Sequence, residues 1–267
     1  MQPVKRTAFT MLELLVVIGT IALVVAILVP SLGNSKQYSK AVVCASNVKQ
    51  LLLGLSLYEA ENATFPCGFD GTSTVPPSGG YVGYSEYDRI GWWWFNHILD
   101  YSRKNFDRAS VIHCPSRYIK GGRLDGDMLC GNYGANQSIC KSSSGLESHN
   151  EFIGIPLSTN NIPHPGQTVL VLDSGYSIIT WWHATDVPPV TLSQAIEDTA
   201  YIPGLWINKK RYIWPGQEED AIGGRHPNKT VNVGFADSHV SRERADDLLV
   251  EKDGNNYKNL RPLWQPK

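Results

Sequence analysis

Glu13 lies inside "RTAFTMLELLVVIGTIALVVAILVP" (residues 6–30), an apolar run of membrane length. An ionised carboxylate in hydrocarbon costs roughly 2.5–3.5 kcal/mol on insertion scales, so such a group is expected to have a positive partner. His226, Asp237 and His239 fall together in "RHPNKTVNVGFADSHV" (residues 225–240), and all three are residue types that ligate metals. Their spacing is unlike that of a structural zinc site and no fourth ligand is evident. A turn-stabilising Asp237 hydrogen-bonded to a His is the better expectation, and Asp173 is read the same way. The five cysteines, Cys44, Cys67, Cys114, Cys130 and Cys140, include no C-x-x-C pair, which argues against a zinc ribbon. In an exported head one or two disulfides are expected, with at least one thiol left over. Cys130 to Cys140, and Cys44 or Cys67 to Cys114, are pairings the sequence leaves open, beside five free thiols. Asp125-Gly126-Asp127 carries acidic oxygens but lacks the ordered ligand series of a calcium loop, so a solvated turn is expected. Trp92-Trp93-Trp94 and Trp181-Trp182 have faces that stack on sugars, yet with few other large apolar residues nearby they are expected to fill a core. There is no G-x-S-x-G, no phosphate-cradling Gly loop and no H-E-x-x-H, so we expect no catalytic residue, no cofactor, no bound metal and no enzymatic activity.

These residues need elements to hold them. A chain of 267 residues suits one or two domains with a sizeable core. Its net charge of -1 lacks the basic face of a nucleic-acid binder. Leu14 to Val29 carries no charge, and with Phe9 to Leu12 it reaches about twenty residues, enough to span a bilayer. Lys5 and Arg6 precede it, which places the N-terminus in the cytoplasm and the bulk of the chain outside. A cleaved secretory signal fits poorly, because the run ends in Val29-Pro30-Ser31-Leu32-Gly33 rather than at a small-x-small site. A plain anchor explains the length but not Glu13. Beyond Pro30, Tyr38, Ala41, Val42, Ala45, Val48, Leu52 and Leu55 recur at helical spacing. One helix from about Phe9 to about Glu59 is predicted, bent at Pro30, ended by Asn62, Pro66 and Gly68, and laying an apolar stripe on a head. A loop follows to about residue 110, interrupted by a short helix around Trp92 to Tyr101. Val169 to Leu172 reads as a buried strand ending in Asp-Ser-Gly, with Ser177 to Trp182 as its hairpin partner. Val231, Val233 and Phe235 alternate as in a half-buried strand. Asp237-Ser238 turns the chain tightly and His239-Val240 begins the return.

The stretch Ala8-Phe9-Thr10-Met11-Leu12-Glu13-Leu14-Leu15-Val16-Val17-Ile18 resembles the class III leader of type IV pilins and type II secretion pseudopilins. The resemblance implies cleavage between Ala8 and Phe9 by a prepilin peptidase and methylation of the new Phe9 amine. That amine then neutralises Glu13, within one helix or in a neighbouring subunit. Pro30 falls in register with the family's helix-bending proline, whereas Ala8 stands where the family usually carries Gly. "CASNVKQLLLGLSLYEAENATFP" (44–66), "IHCPS" (112–116) and "NYGANQS" (132–138) are similar to landmarks of large pilin-like proteins that end in an H-X9-DG motif. Here His226 and Asp237 are separated by ten residues, and Ser238 replaces the Gly, which suits positive φ better.

The implied organisation is a leader (1–8), a spine helix (9–60) with its membrane span at about 9–30, and an extracytoplasmic head (61–267). The implied fold is α+β and pilin-like, a long N-terminal helix packed on an antiparallel sheet. The resemblance further implies a single-pass protein of the bacterial inner membrane with a periplasmic head. It would assemble with copies of itself or other pilin-like subunits, through inner-membrane machinery, into a secretion or pilus-like filament. The competing expectation is an envelope module that uses the leader only for export and binds polysaccharide through Trp181, Trp182 or the Trp92–Trp94 triplet.

Overall fold

The computed structural model describes residues 9–71, 91–98, 111–120, 129–143, 150–189 and 199–266. Ala8, Tyr101 and Asp125-Gly126-Asp127 lie outside the described residues. The fold is α+β: a long apolar helix leads into a region built on a mixed, mostly antiparallel sheet.

The spine helix runs from Met11 to Asn62 as one segment, through Pro30. It ends at Ala63, whose left-handed φ of 64° lets its N–H reach the Glu59 carbonyl at 2.7 Å and satisfy one of the last helical acceptors. The two halves of the helix differ. From Phe9 to Val29 every residue is exposed, whereas Ala41, Cys44, Val48, Leu51, Leu52 and Leu55 are fully buried. Spacings of three and four keep these six on one face. The buried stripe is therefore rotated from the predicted one. Val42 and Tyr38 stay 61% and 47% exposed, and Cys44 and Leu51 take their place. Two overlapping apolar rows exist in the sequence, and periodicity alone does not say which of them meets the head.

Five strands form the main sheet: β3 (Tyr133–Asn136), β4 (Val169–Asp173), β5 (Ile178–Ile179), β6 (Thr230–Phe235) and β7 (Val240–Arg244), in the order β5-β3-β4-β6-β7. β1 (Phe69–Asp70) and β2 (Trp92–Trp93) pair separately, as do β8 (Lys252–Asp253) and β9 (Asn256–Tyr257). The predicted β4 and β6 form where their apolar runs place them, although β6 is buried from Val231 to Phe235 on both faces rather than half-buried, and β6 returns through the Asp237-Ser238 turn into β7. Two expectations are corrected. Ile178–Ile179 pairs in parallel with β3 rather than returning beside β4, so the sheet is mixed and not purely antiparallel. β3 occupies that side of β4, with Tyr133 opposite Asp173. Trp92–Trp93 extends as a strand and Trp94–His97 is a single 3-10 turn, in place of a helix starting at Trp92.

β4 is buried at all five positions because both faces of the sheet are covered. On one face Leu170 and Val171 join the spine residues with Phe65, Trp93, Trp94 and Tyr133. On the other, Val169 and Leu172 join Trp181, Trp182, Val231, Val233 and Trp264. Gly234 lets the helix approach closely: a Cβ there would lie 2.7 Å from Leu52 Cδ1 and 2.9 Å from Val48 Cγ1. Polar clasps reinforce the docking. The Glu59 carboxylate accepts from the Thr159 N–H at 2.5 Å and from its hydroxyl at 2.8 Å, and Lys49 Nζ donates to the Ser238 carbonyl at 2.7 Å.

Ser238 takes a φ of 70°, the conformation for which the sequence suggested Gly. Its hydroxyl is 2.6 Å from that of Ser56 on the spine helix, a bond that Gly would forgo. Left-handed strain and one hydrogen bond are each worth about 1 kcal/mol. Ser238→Gly should therefore unfold within about 0.5 kcal/mol of the wild type. Ser238→Ala keeps the strain without the bond and should lose about 1 kcal/mol. Urea midpoints of the detergent-solubilised chain check that order.

Candidate functional site

At the helix start, Thr10 and Glu13 form a capping box. The Thr10 N–H and hydroxyl both donate to Glu13 Oε2 at 2.8 Å, and the Glu13 N–H donates back to Thr10 Oγ1 at 3.2 Å. The acid thus satisfies the N-cap N–H, Thr10 satisfies the Glu13 N–H of the first turn, and the carboxylate sits at the positive end of the helix dipole. The apolar surface that follows is long enough to cross a membrane, and none of it is covered by the rest of the described chain.

A second constellation sits where the buried half of the helix meets the sheet. Cys44 projects from the helix, Cys114 from the loop after Ile112, Asp173 from the end of β4, and His226 from the turn before β6. One ligand-type atom from each lies within 4.8 Å of all the others. Asp173 is the hub. Its Oδ1 accepts from the Cys44 thiol at 3.0 Å, and its Oδ2 accepts from the Asn232 N–H at 2.7 Å and lies 3.1 Å from His226 Nε2. The Cys114 and Cys44 sulfurs are 3.6 Å apart, and the Tyr133 hydroxyl lies 3.3 Å from Cys44 Sγ. The Cys114 N–H donates to Asn132 Oδ1 at 3.1 Å. Beside the cluster, Arg225 donates to both Asp220 oxygens at 2.9 Å and to the carbonyls of Asn132 and Ser174 at 2.7 Å.

Burial and charge oppose each other at these groups. Burial disfavours the His226 imidazolium, but the Asp173 carboxylate outweighs it and raises the group to about 9. Burial would lift the Asp173 carboxyl; His226 and then Arg225 hold it below the ordinary range instead. Burial pushes the Cys44 thiol well up, an effect its neighbours Cys114 and Asp173 increase. For Cys114 the Cys44 and His226 side chains overcome burial and bring the thiol down to about 6. The site therefore sets the Asp173 carboxylate and the Cys114 sulfur, both held low, beside a His226 ring held high, with Cys44 kept as the neutral thiol.

His226 and Asp237, grouped by the sequence, are separated. Asp237 Oδ1 lies 2.6 Å from His239 Nδ1 and accepts the His239 N–H at 3.1 Å, at an exposed turn. That is the predicted turn-stabilising pair, with His226 committed elsewhere. None of the five cysteines is joined in a disulfide, so the pairings left open by the sequence are not formed. Trp93 and Trp94 are fully buried, and Trp181 and Trp182 are 4% and 2% exposed, as expected for core residues, whereas Trp92 is only half-buried and belongs to neither core. The Cys44–Cys114–Asp173–His226 cluster escaped sequence reasoning because its members come from four separate segments. The available signal was that Cys44, Cys114 and His226 each fall inside one of the landmark motifs. No family model matches this chain, and neither a curated protein nor a solved structure shows significant similarity to it.

Proposed function

We propose that this chain is a pilin-like, membrane-anchored subunit that assembles through its N-terminal helix into a filament of the type II secretion or type IV pilus kind. The observation that carries this is the split character of the spine helix. Its first half is apolar on all sides and uncovered, while its second half is locked to the head. Each buried Leu, Ile or Val side chain is worth on the order of 1.5–3 kcal/mol, so some twenty uncovered apolar residues demand a bilayer or a bundle of like helices. Before assembly the lipid stores the helix; after processing before Phe9 by a prepilin peptidase, helices of neighbouring copies replace the lipid. Glu13 then pairs with the Phe9 amine of a neighbour, and an inner-membrane machine drives the transfer. The polysaccharide-binding alternative draws little from the tryptophans on which it rests, since four of the five, Trp93, Trp94, Trp181 and Trp182, are packed in the two cores and Trp92 alone is half-buried.

The decisive comparison is Glu13→Gln beside Glu13→Val. Gln preserves the capping box and removes the charge, whereas Val removes both. A role in subunit pairing predicts that both variants insert in the membrane and both fail to enter filaments. Normal incorporation of either one, scored by immunogold labelling of sheared filaments, would refute the pairing. Intact mass of the native chain starting at Met1 would refute the processing.

A further inference from the structure

We propose that Cys44, Cys114, Asp173 and His226 form a structural site for a zinc ion. This does not depend on filament assembly. All four residues are 4% exposed or less, so the site has no open position for a substrate, the hallmark of a structural rather than a catalytic centre. The donor set is two sulfurs, one imidazole and one carboxylate. It is too soft for calcium or magnesium and suits tetrahedral zinc. Two thiolates on one tetrahedral zinc, each about 2.3 Å from the metal, sit about 3.8 Å from each other. Cys44 and Cys114 are 3.6 Å apart, whereas a disulfide needs about 2.05 Å.

Two further features point to a missing partner. His226 Nδ1 and Asn232 Oδ1 are buried with no hydrogen-bond partner among the described residues. Leaving buried polar atoms unpaired is costly; Asn232 Nδ2 already lies 3.1 Å from His226 Nε2, so with a metal on Nδ1 and the amide turned over, the Nε2–H can donate to the amide oxygen of Asn232 and both atoms are satisfied. The outer groups are also in place. The Asn232 N–H on Asp173 and the Tyr133 hydroxyl on Cys44 would steady two of the four ligands once the ion is bound. On binding, both cysteines ligate as thiolates and His226 as the neutral ring; the protons still held by the thiols and by the imidazolium leave to solvent as the bonds to zinc form, and no oxidation state changes. The ion would tie the spine helix, the Cys114 loop, the end of β4 and the start of the β6 hairpin at one point.

The test uses the full chain purified in detergent, with its metal content measured by inductively coupled plasma mass spectrometry. The expected result is about one zinc per chain, falling to less than about a tenth in Cys114→Ala, with no change in Cys67→Ala. If Cys114→Ala does not fold, the wild type is stripped with chelator and loaded with cobalt. Tetrahedral ligand-field bands with thiolate-to-cobalt charge transfer then support the site, and their absence overturns it. Zinc retained in a folded Cys114→Ala chain, a wild-type chain that binds no zinc, or an alkylation-resistant Cys44–Cys114 disulfide in the native protein would each overturn it as well.

Discussion

Replacing Asp220 by Ala should cost about 3–5 kcal/mol, because it strands a buried cation. Arg225 and Asp220 face each other at 2.8 Å with both side chains wholly out of solvent. Burial works against the guanidinium's charge, and Asp220 more than restores it. Asp220 also accepts from the Tyr201 hydroxyl at 2.8 Å and from the Tyr118 N–H at 3.3 Å. Its loss therefore orphans three donors at once. Arg225 in turn clamps the Asn132 and Ser174 carbonyls, next to Cys114's own anchor and to Asp173. The double variant Asp220→Ala/Arg225→Met should recover part of the loss, since an apolar pair leaves no charge uncompensated. Urea unfolding of the three chains in the same detergent checks both statements. A single variant within about 1 kcal/mol of wild type would show that water or a neighbouring group reaches Arg225.

Trp264→Ala should cost about as much, 3–5 kcal/mol, for a different reason. Trp264 is fully buried only three residues from the end of the chain, in the core beneath β4 and β6. Its indole N–H donates to the Leu248 carbonyl at 3.0 Å, and its own carbonyl accepts from Asn136 Nδ2 at 3.0 Å. The neighbouring Leu263 carbonyl accepts the Val169 N–H at 2.9 Å. The tail thus closes the face of the sheet opposite the spine helix and satisfies the first donor of β4. Trp264→Phe keeps most of the volume but loses the indole hydrogen bond, and should cost about 1–2 kcal/mol. Thermal melts that place both variants with wild type would show the tail to be dispensable.

The parts of the fold visible in the sequence are those with a strong local period. The uncharged run to Val29 and the Val231-Val233-Phe235 alternation each specify one element without help from the rest. Ser238 shows how a departure from a motif is explained only in three dimensions, by the Ser56 hydroxyl that receives it. Parallel pairing of Ile178–Ile179 with β3 was hidden, because a two-residue strand carries no period and its neighbour is remote in sequence. The buried cluster was hidden for the same reason. Cys44 reads as one more small residue on a helix, and Asp173 as a turn acid. His226 reads as the partner of the nearest downstream acid, Asp237. Only the register that sets Tyr133 against Asp173, and the rotation that turns Cys44 inward, bring the four together.

The margins of the sheet bear on how copies meet. β7, the strand at one border, spells Val-Ser-Arg-Glu-Arg and presents Arg242 and Arg244 outward. At the other border β5 is two residues long and gives way to the tight turn Trp181–Ala184. Charge at one rim and brevity at the other are how proteins discourage strand-by-strand accretion. In the proposed filament such heads would stay separate bodies instead of fusing into a ribbon, and cohesion would fall to the rods beneath them.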